Sequence, residues 1–281
     1  MAIASTAIHR SDVDIYAGHS GDGPDVLLIA GLGDPLEAWQ FQLDGLADRY
    51  HMIAYDNRGV GRTPLPAGPF SVATMADDAA AVLRGLGVSA AHVAGFSGGS
   101  VIARELTYRH PELVKSLVLV GTFAQWDTFG RTAVNSWRWQ ADTAPSERAF
   151  LEAFYTWIYT ARAHEDGTVN QIIDDVMEFP YPTSMETMQQ TMDAYLAHED
   201  IDRLNEIDVP TLVLTGELDL ICPPRHGRVV AAGIPGAVFE ILTGEAHQPF
   251  QESPEAFNRR VDDFWQQVET HTWPQRRTTA R

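Results

Sequence analysis

Three residues in this chain of 281 could together turn a hydroxyl into a nucleophile: Ser97, Asp219 and His247. A serine hydroxyl attacks poorly at neutral pH. It needs a base to take its proton, and the base needs a third group to hold its tautomer. Ser97 sits in Gly95-Phe96-Ser97-Gly98-Gly99. The residues before it, Ala91-His92-Val93-Ala94, read as a short core strand, and residues 100–110 read as a helix with Val101, Ile102 and Leu106 on its apolar face. A G-x-S-x-G between strand and helix is a nucleophile elbow, in which glycine is needed because the turn is strained and adjacent backbones pass too close for a Cβ. The three fixed residues alone carry little weight; the strand before and the helix after give the pattern its meaning.

The base and its partner are expected downstream, acid before histidine. Thr211-Leu212-Val213-Leu214 reads as a buried strand, and Gly216-Glu217-Leu218-Asp219 follows it, which puts Asp219 on the loop at that strand's carboxyl end. Residues 237–242 read as another strand, followed by Thr243-Gly244-Glu245-Ala246-His247. His247 would then stand at the same sheet edge as Ser97 and Asp219, the edge where open α/β sheets bind ligands. Other readings compete. Asp219 could cap a helix beginning near Pro223, and Glu217 or Asp127 could serve as the acid.

A tetrahedral intermediate also needs donors for its oxyanion. The backbone N–H of Gly98 is one, and the loop Ala30-Gly31-Leu32-Gly33-Asp34-Pro35 offers the other, with Leu32 as its donor. That loop is not a dinucleotide fingerprint, because Asp34-Pro35 interrupts the G-x-G-x-x-G pattern. Asp56-Asn57-Arg58-Gly59-Val60-Gly61 reads as structural, with Asp56 and Arg58 bonding neighbouring loops. There is no H-E-x-x-H and no clustered Cys/His spacing, so neither a metal nor a cofactor is implied. Cys222, followed by two prolines, reads as a packing residue.

Positioning three loops at one edge requires a sheet. Residues 26–29, 52–55, 117–120 and 211–214 each read as a strand buried on both faces, and residues 36–49 and 71–86 carry helical spacing between them. The fold class expected is α/β, a mostly parallel, doubly wound sheet, with residues 7–18 as an antiparallel hairpin at its edge. The rhythm breaks over residues 123–203, which are rich in aromatics. Phe150, Phe154 and Trp157 are spaced for one helical face, a stripe that is either core or the underside of a lid. The position of the segment between two sheet strands favours an inserted helical cap over a core of residues 1–122 and 204–281. Trp126, Trp137, Phe154 and Trp157 are then the candidate substrate contacts.

Composition narrows the partners. A net charge of −18 argues against nucleic acid and anionic membranes, both of which need a basic surface. Lys115, the sole lysine, reads as a surface residue at a helix–strand junction, and no other position can form a Schiff base or a phosphate-loop lysine. One cysteine allows no internal disulfide, residues 1–12 lack a signal-like apolar stretch, and no apolar run approaches the roughly 20 residues of a membrane span. The expected location is cytoplasmic. Residues 270–281 are polar and Arg-rich and read as a disordered end. Oligomeric state has no readable determinant.

Taken together, these segments resemble the α/β-hydrolase fold superfamily over about residues 25–120 and 209–264. The matching motifs are Gly31-Leu32-Gly33 with Trp39, the 55–61 loop, the elbow, the run from Val209 to Asp219, and His247 with Pro249-Phe250. The resemblance implies Ser97 as nucleophile, Asp219 as acid, His247 as base, Leu32 and Gly98 as oxyanion donors and residues 123–203 as the cap. Three positions depart from the usual pattern. Ala30 stands where many members carry histidine, and Gly98 with Ser100 replaces a larger residue and a further glycine, which is expected to leave extra room beside Ser97. The activity implied is a serine hydrolase cleaving an ester, thioester or lactone of a small apolar substrate through an acyl-enzyme. A C–C bond hydrolase or an acyltransferase would use the same residues, and a ligand-binding protein on the same scaffold would use none of them.

Overall fold

The computed structural model describes residues 3–273. Among them, eight strands form one sheet: β1 (Ala4–His9), β2 (Asp14–Ser20), β3 (Asp25–Ile29), β4 (His51–Tyr55), β5 (Ala91–Phe96), β6 (Val114–Val120), β7 (Thr211–Gly216) and β8 (Val238–Leu242). Their order is β1-β2-β4-β3-β5-β6-β7-β8. β2 runs antiparallel to both β1 and β4, and the strands from β4 to β8 are parallel. The chain is thus α/β and mostly parallel, with the expected hairpin at one edge. Strand order reverses at β3, which lies between β4 and β5, so a crevice opens where the loops after β3 and β5 part.

Strands buried on both faces alternate their side chains between two apolar layers. Leu27, Ile29, Val93, Leu117 and Val213 face one layer; Val26, Leu28, Ala94, Val118 and Leu212 face the other. The first layer is closed by α2 (Val72–Gly85), α3 (Gly98–Arg109) and α9 (Pro224–Gly233). The second is closed by α1 (Gln40–Gly45), the short α10 (Pro249–Glu252) and α11 (Pro254–Glu269), with Trp39 stacked on Phe250 at 4.2 Å. Between β6 and β7 the chain forms five helices: α4 (Thr128–Thr143), α5 (Glu147–Tyr155), α6 (Ala161–Glu165), α7 (Thr168–Glu178) and α8 (Met185–Ala197).

Several local expectations are corrected. Residues 36–49 do not form one helix. A 3-10 turn, Leu36–Trp39, leads into α1, which stops at Gly45. There a Cβ would lie 2.5 Å from the Asn258 amide of α11, and the chain then turns on the Leu46 carbonyl to enter β4. Trp157 is not on the helical face of Phe150 and Phe154, because α5 ends at Tyr155. Phe150 and Phe154 stack at 5.7 Å, whereas Trp157 packs edge-on against Trp137. The tail expected to be disordered is ordered through Trp273, whose ring is buried against Phe264; residues 274–281 lie outside the described residues.

The 56–61 loop is structural, as its sequence suggested. Arg58 forms a fork onto Asp78, at 2.7 and 2.8 Å, and Asp56 accepts the Leu36 and Arg62 backbone N–H groups. Cys222 is fully buried, and burial raises its thiol pKa well above the ordinary value. Lys115 is half-buried, with its ammonium 3.5 Å from Glu269.

Candidate active site

Ser97 joins the end of β5 to the start of α3 with φ 52° and ψ −121°, a left-handed backbone that a non-glycine residue adopts only under constraint. The constraint is visible. Ser97 N–H donates to the Val120 carbonyl at 2.8 Å, and the Ser97 carbonyl accepts from both the Ser100 N–H and the Ser100 hydroxyl. The departure at Ser100 therefore has a use: it pins the carbonyl of the strained residue. The flanking glycines are required by contact. A Cβ on Gly95 would lie 2.4 Å from the Gly99 carbonyl oxygen, and one on Gly99 would lie 2.2 Å from that of Ile29.

Asp219 and His247 meet across the ends of β7 and β8. His247 Nδ1 lies 2.7 Å from Asp219 Oδ2, and both side chains are buried. The other Asp219 oxygen accepts the N–H groups of Ile221 and Cys222, at 2.8 and 2.7 Å. That arrangement fixes the carboxylate plane and, with α9 starting only at Pro224, shows that Asp219 turns its own loop and does not cap the helix. The rival acids are engaged elsewhere. Asp127 caps α4 and pairs with Arg225, and Glu217 is exposed and accepts the Gly244 N–H.

Two supports of this pair left no mark in the sequence. Gly121, directly after β6, has φ 55°, and a Cβ there would stand 3.1 Å from the His247 ring and 3.3 Å from Asp219 Oδ2. The His247 N–H donates to the Ile158 carbonyl at 3.0 Å, so the helical insertion itself holds the loop that carries the histidine.

Ser97, His247, Leu32 and Gly98 line one chamber of about 60 Å³. Trp126, Trp137 and Phe154 line it too, whereas Trp157 lies behind Trp137 and reaches no part of the wall. The extra room expected beside Gly98 is absent. The ring of Tyr195, on α8, lies 2.2 Å from where a Gly98 Cβ would be, so the missing side chain is replaced from the insertion. Leu32, Asp34, Phe154 and Tyr155 also border a larger adjoining cavity of about 1060 Å³ between the insertion and the β3 loop.

Asp34 is the carboxyl group in the chamber wall, and burial raises its pKa to about 7 against the opposing pull of His247. No sequence signal marked it beyond its place in the glycine loop. Among the described residues no group of three or more His, Cys, Asp and Glu could hold a metal ion, and no helix is long and apolar enough to cross a membrane.

A strained serine between strand and helix, with a buried His–Asp pair on later loops of the same sheet, defines the class. The chain belongs to the α/β hydrolase fold family, whose model matches residues 24–253. It is 31% identical over 261 residues to an Azorhizobium caulinodans protein provisionally named carbamate hydrolase RutD, across 93% of this chain and 98% of that one. Among solved structures it is similar to the enol-lactonase of Burkholderia xenovorans LB400, with TM-score 0.80 and 25% identity over 90% of this chain and 97% of that one. Est816, described as an N-acyl homoserine lactone degrading enzyme, gives TM-score 0.80 and 25% identity over 92% and 100%.

Proposed function

We propose that this hydrolase works through an acyl-enzyme on Ser97. The observation that carries the reading is the buried 2.7 Å contact between His247 Nδ1 and Asp219, with His247 lining the same chamber as the strained Ser97. With Nδ1–H donated to Asp219, His247 presents Nε2 as the free base. Ser97 Oγ attacks the substrate carbonyl as its proton passes to Nε2, and the carbonyl electron pair moves onto oxygen. Leu32 and Gly98 N–H groups receive that oxygen. The intermediate collapses as Nε2 returns the proton to the leaving group, and water repeats the sequence to release the acid.

The substrate proposed is an ester, thioester or lactone with a small apolar acyl part. The chamber beside Ser97 is small and faced by Trp126, Trp137 and Phe154, while the adjoining cavity accepts a bulkier remainder. Residues 123–203 act as the cap that walls this space. The lactones named for the structural neighbours and the carbamate named for the sequence relative all carry an acyl carbonyl open to the same attack, which supports the class.

The test is intact-mass analysis after treatment with a small fluorophosphonate. One adduct on the wild type and none on Ser97→Ala is the expected result. An unlabelled but folded wild type would overturn the reading. An ester, thioester, lactone and carbamate panel then ranks the acyl groups.

A further inference from the structure

Tyr195 is buried at the nucleophile and has nothing to do there structurally with its hydroxyl. Its phenol oxygen has no hydrogen-bond partner among the described residues, although the side chain is only 4% exposed. Burying a hydroxyl without a partner costs about 1–3 kcal/mol, so a phenylalanine would serve packing better. Its location is fixed by Gly98. The hydroxyl oxygen lies 2.5 Å, and the ring 2.2 Å, from the position of a Gly98 Cβ. A Cβ stands roughly 2.5 Å from its own amide nitrogen, which keeps the phenol oxygen within about 5 Å of the Gly98 N–H. Gly98, at the start of α3, and Tyr195, on α8, both line the chamber that Ser97 faces.

We propose that the Tyr195 hydroxyl is a third oxyanion donor, contributed by the insertion beside the backbone N–H groups of Leu32 and Gly98. This inference rests on Ser97 acting as the nucleophile. When Ser97 Oγ bonds to the carbonyl carbon, its proton goes to His247 Nε2 and the carbonyl π pair becomes a lone pair on oxygen. Tyr195 gives that oxygen a hydrogen bond and keeps its proton throughout. Burial and the nearby Asp34 hold the phenol far above its ordinary pKa, so it stays a donor at any working pH. The absent side chain at Gly98 follows from the same arrangement, since any Cβ there would displace the ring.

Tyr195→Phe keeps the ring that covers Gly98 and removes only the hydroxyl. Fluorophosphonate labelling of Ser97 should be measured across probe concentrations, to separate the reversible affinity from the maximal rate of covalent capture. Loss of one oxyanion donor costs about 10²–10³ in rate where the site is otherwise complete. A fall of at least tenfold in the maximal rate, with the affinity within about threefold of wild type, is expected. An unchanged maximal rate in the variant, on a wild type that labels normally, sinks the third donor and leaves Ser97 standing. Weaker affinity with an unchanged maximal rate would make Tyr195 a packing residue. An unlabelled wild type would sink both readings together. A melting temperature within a few degrees of wild type excludes misfolding as the cause of slow labelling.

Discussion

Arg104, in the middle of α3, forms a two-point ion pair with Asp200 at the far end of the insertion, 2.7 Å from Nε and 2.9 Å from Nη2, with both side chains fully buried. The same guanidinium donates to the Phe123 carbonyl and the Thr122 hydroxyl, where the insertion begins, and the Asp200 N–H closes the loop onto the Ala124 carbonyl. One side chain thus clamps both ends of the inserted helices onto the helix that starts at Ser97. Burial alone would raise the Asp200 carboxyl; Arg104 outweighs it and holds the group below the ordinary range.

Removing one partner of such a pair leaves the other charged and buried, which costs about 3–5 kcal/mol. Arg104→Ala is expected to lose that much in urea unfolding. Arg104→Lys keeps the charge but not the fork, and should recover only part of the loss. Stability within about 1 kcal/mol of wild type for Arg104→Ala would show that the clamp is incidental.

Gly121 supports the His–Asp pair from below by having no side chain. Gly121→Ala would force an L residue into φ 55° and press a methyl onto His247 and Asp219 at 3.1–3.3 Å. The backbone cost is about 1 kcal/mol, a shift of a few degrees in melting temperature. If Ser97 and His247 act as proposed, the effect on Ser97 labelling should be larger, at least tenfold, because a small displacement of the histidine ring would spoil proton transfer from the serine. Equal labelling in this variant would show that the pair tolerates movement.

The sheet was legible because strands covered on both faces read as continuous apolar runs, and the shared edge of the loops that carry Ser97, Asp219 and His247 was legible because loops after parallel strands open on one side. Gly98 was legible as small but misread as room, since the ring that fills it comes from Tyr195, 97 positions away on a helix whose apolar face gives no hint of contact with the elbow. Arg104 carried no signal in the sequence, because its partner Asp200 lies 96 positions on, at the far end of the insertion. Trp157 was misplaced because spacing alone does not reveal that α5 stops at Tyr155. What sequence spacing missed was, in each case, set by contacts between distant segments or by where a helix ends.

Asp34 gives the last prediction, and its sign follows from where its proton is held. In the folded protein burial keeps the carboxyl protonated up to about pH 7, while the unfolded chain releases the proton near 3.8. Between those values the folded state binds more protons, so stability falls as pH rises from about 4 to 7 and the full cost remains above 7. The cost is at most on the order of 4 kcal/mol, and less where the cavities let water reach the group. Asp34→Asn removes the charge and should melt higher than wild type at pH 8, with the difference vanishing near pH 4. The groups that sense this carboxyl are His247, Tyr155, Tyr159 and Tyr195, and it shares the chamber wall with Ser97. An ionised Asp34 would repel the oxygen that gains charge on attack. Wild-type labelling of Ser97 should therefore slow above pH 7 relative to Asp34→Asn, read as the ratio of the two rates from pH 6 to 9. A ratio that stays flat over that range would mean that Asp34 is too well solvated to act on the site.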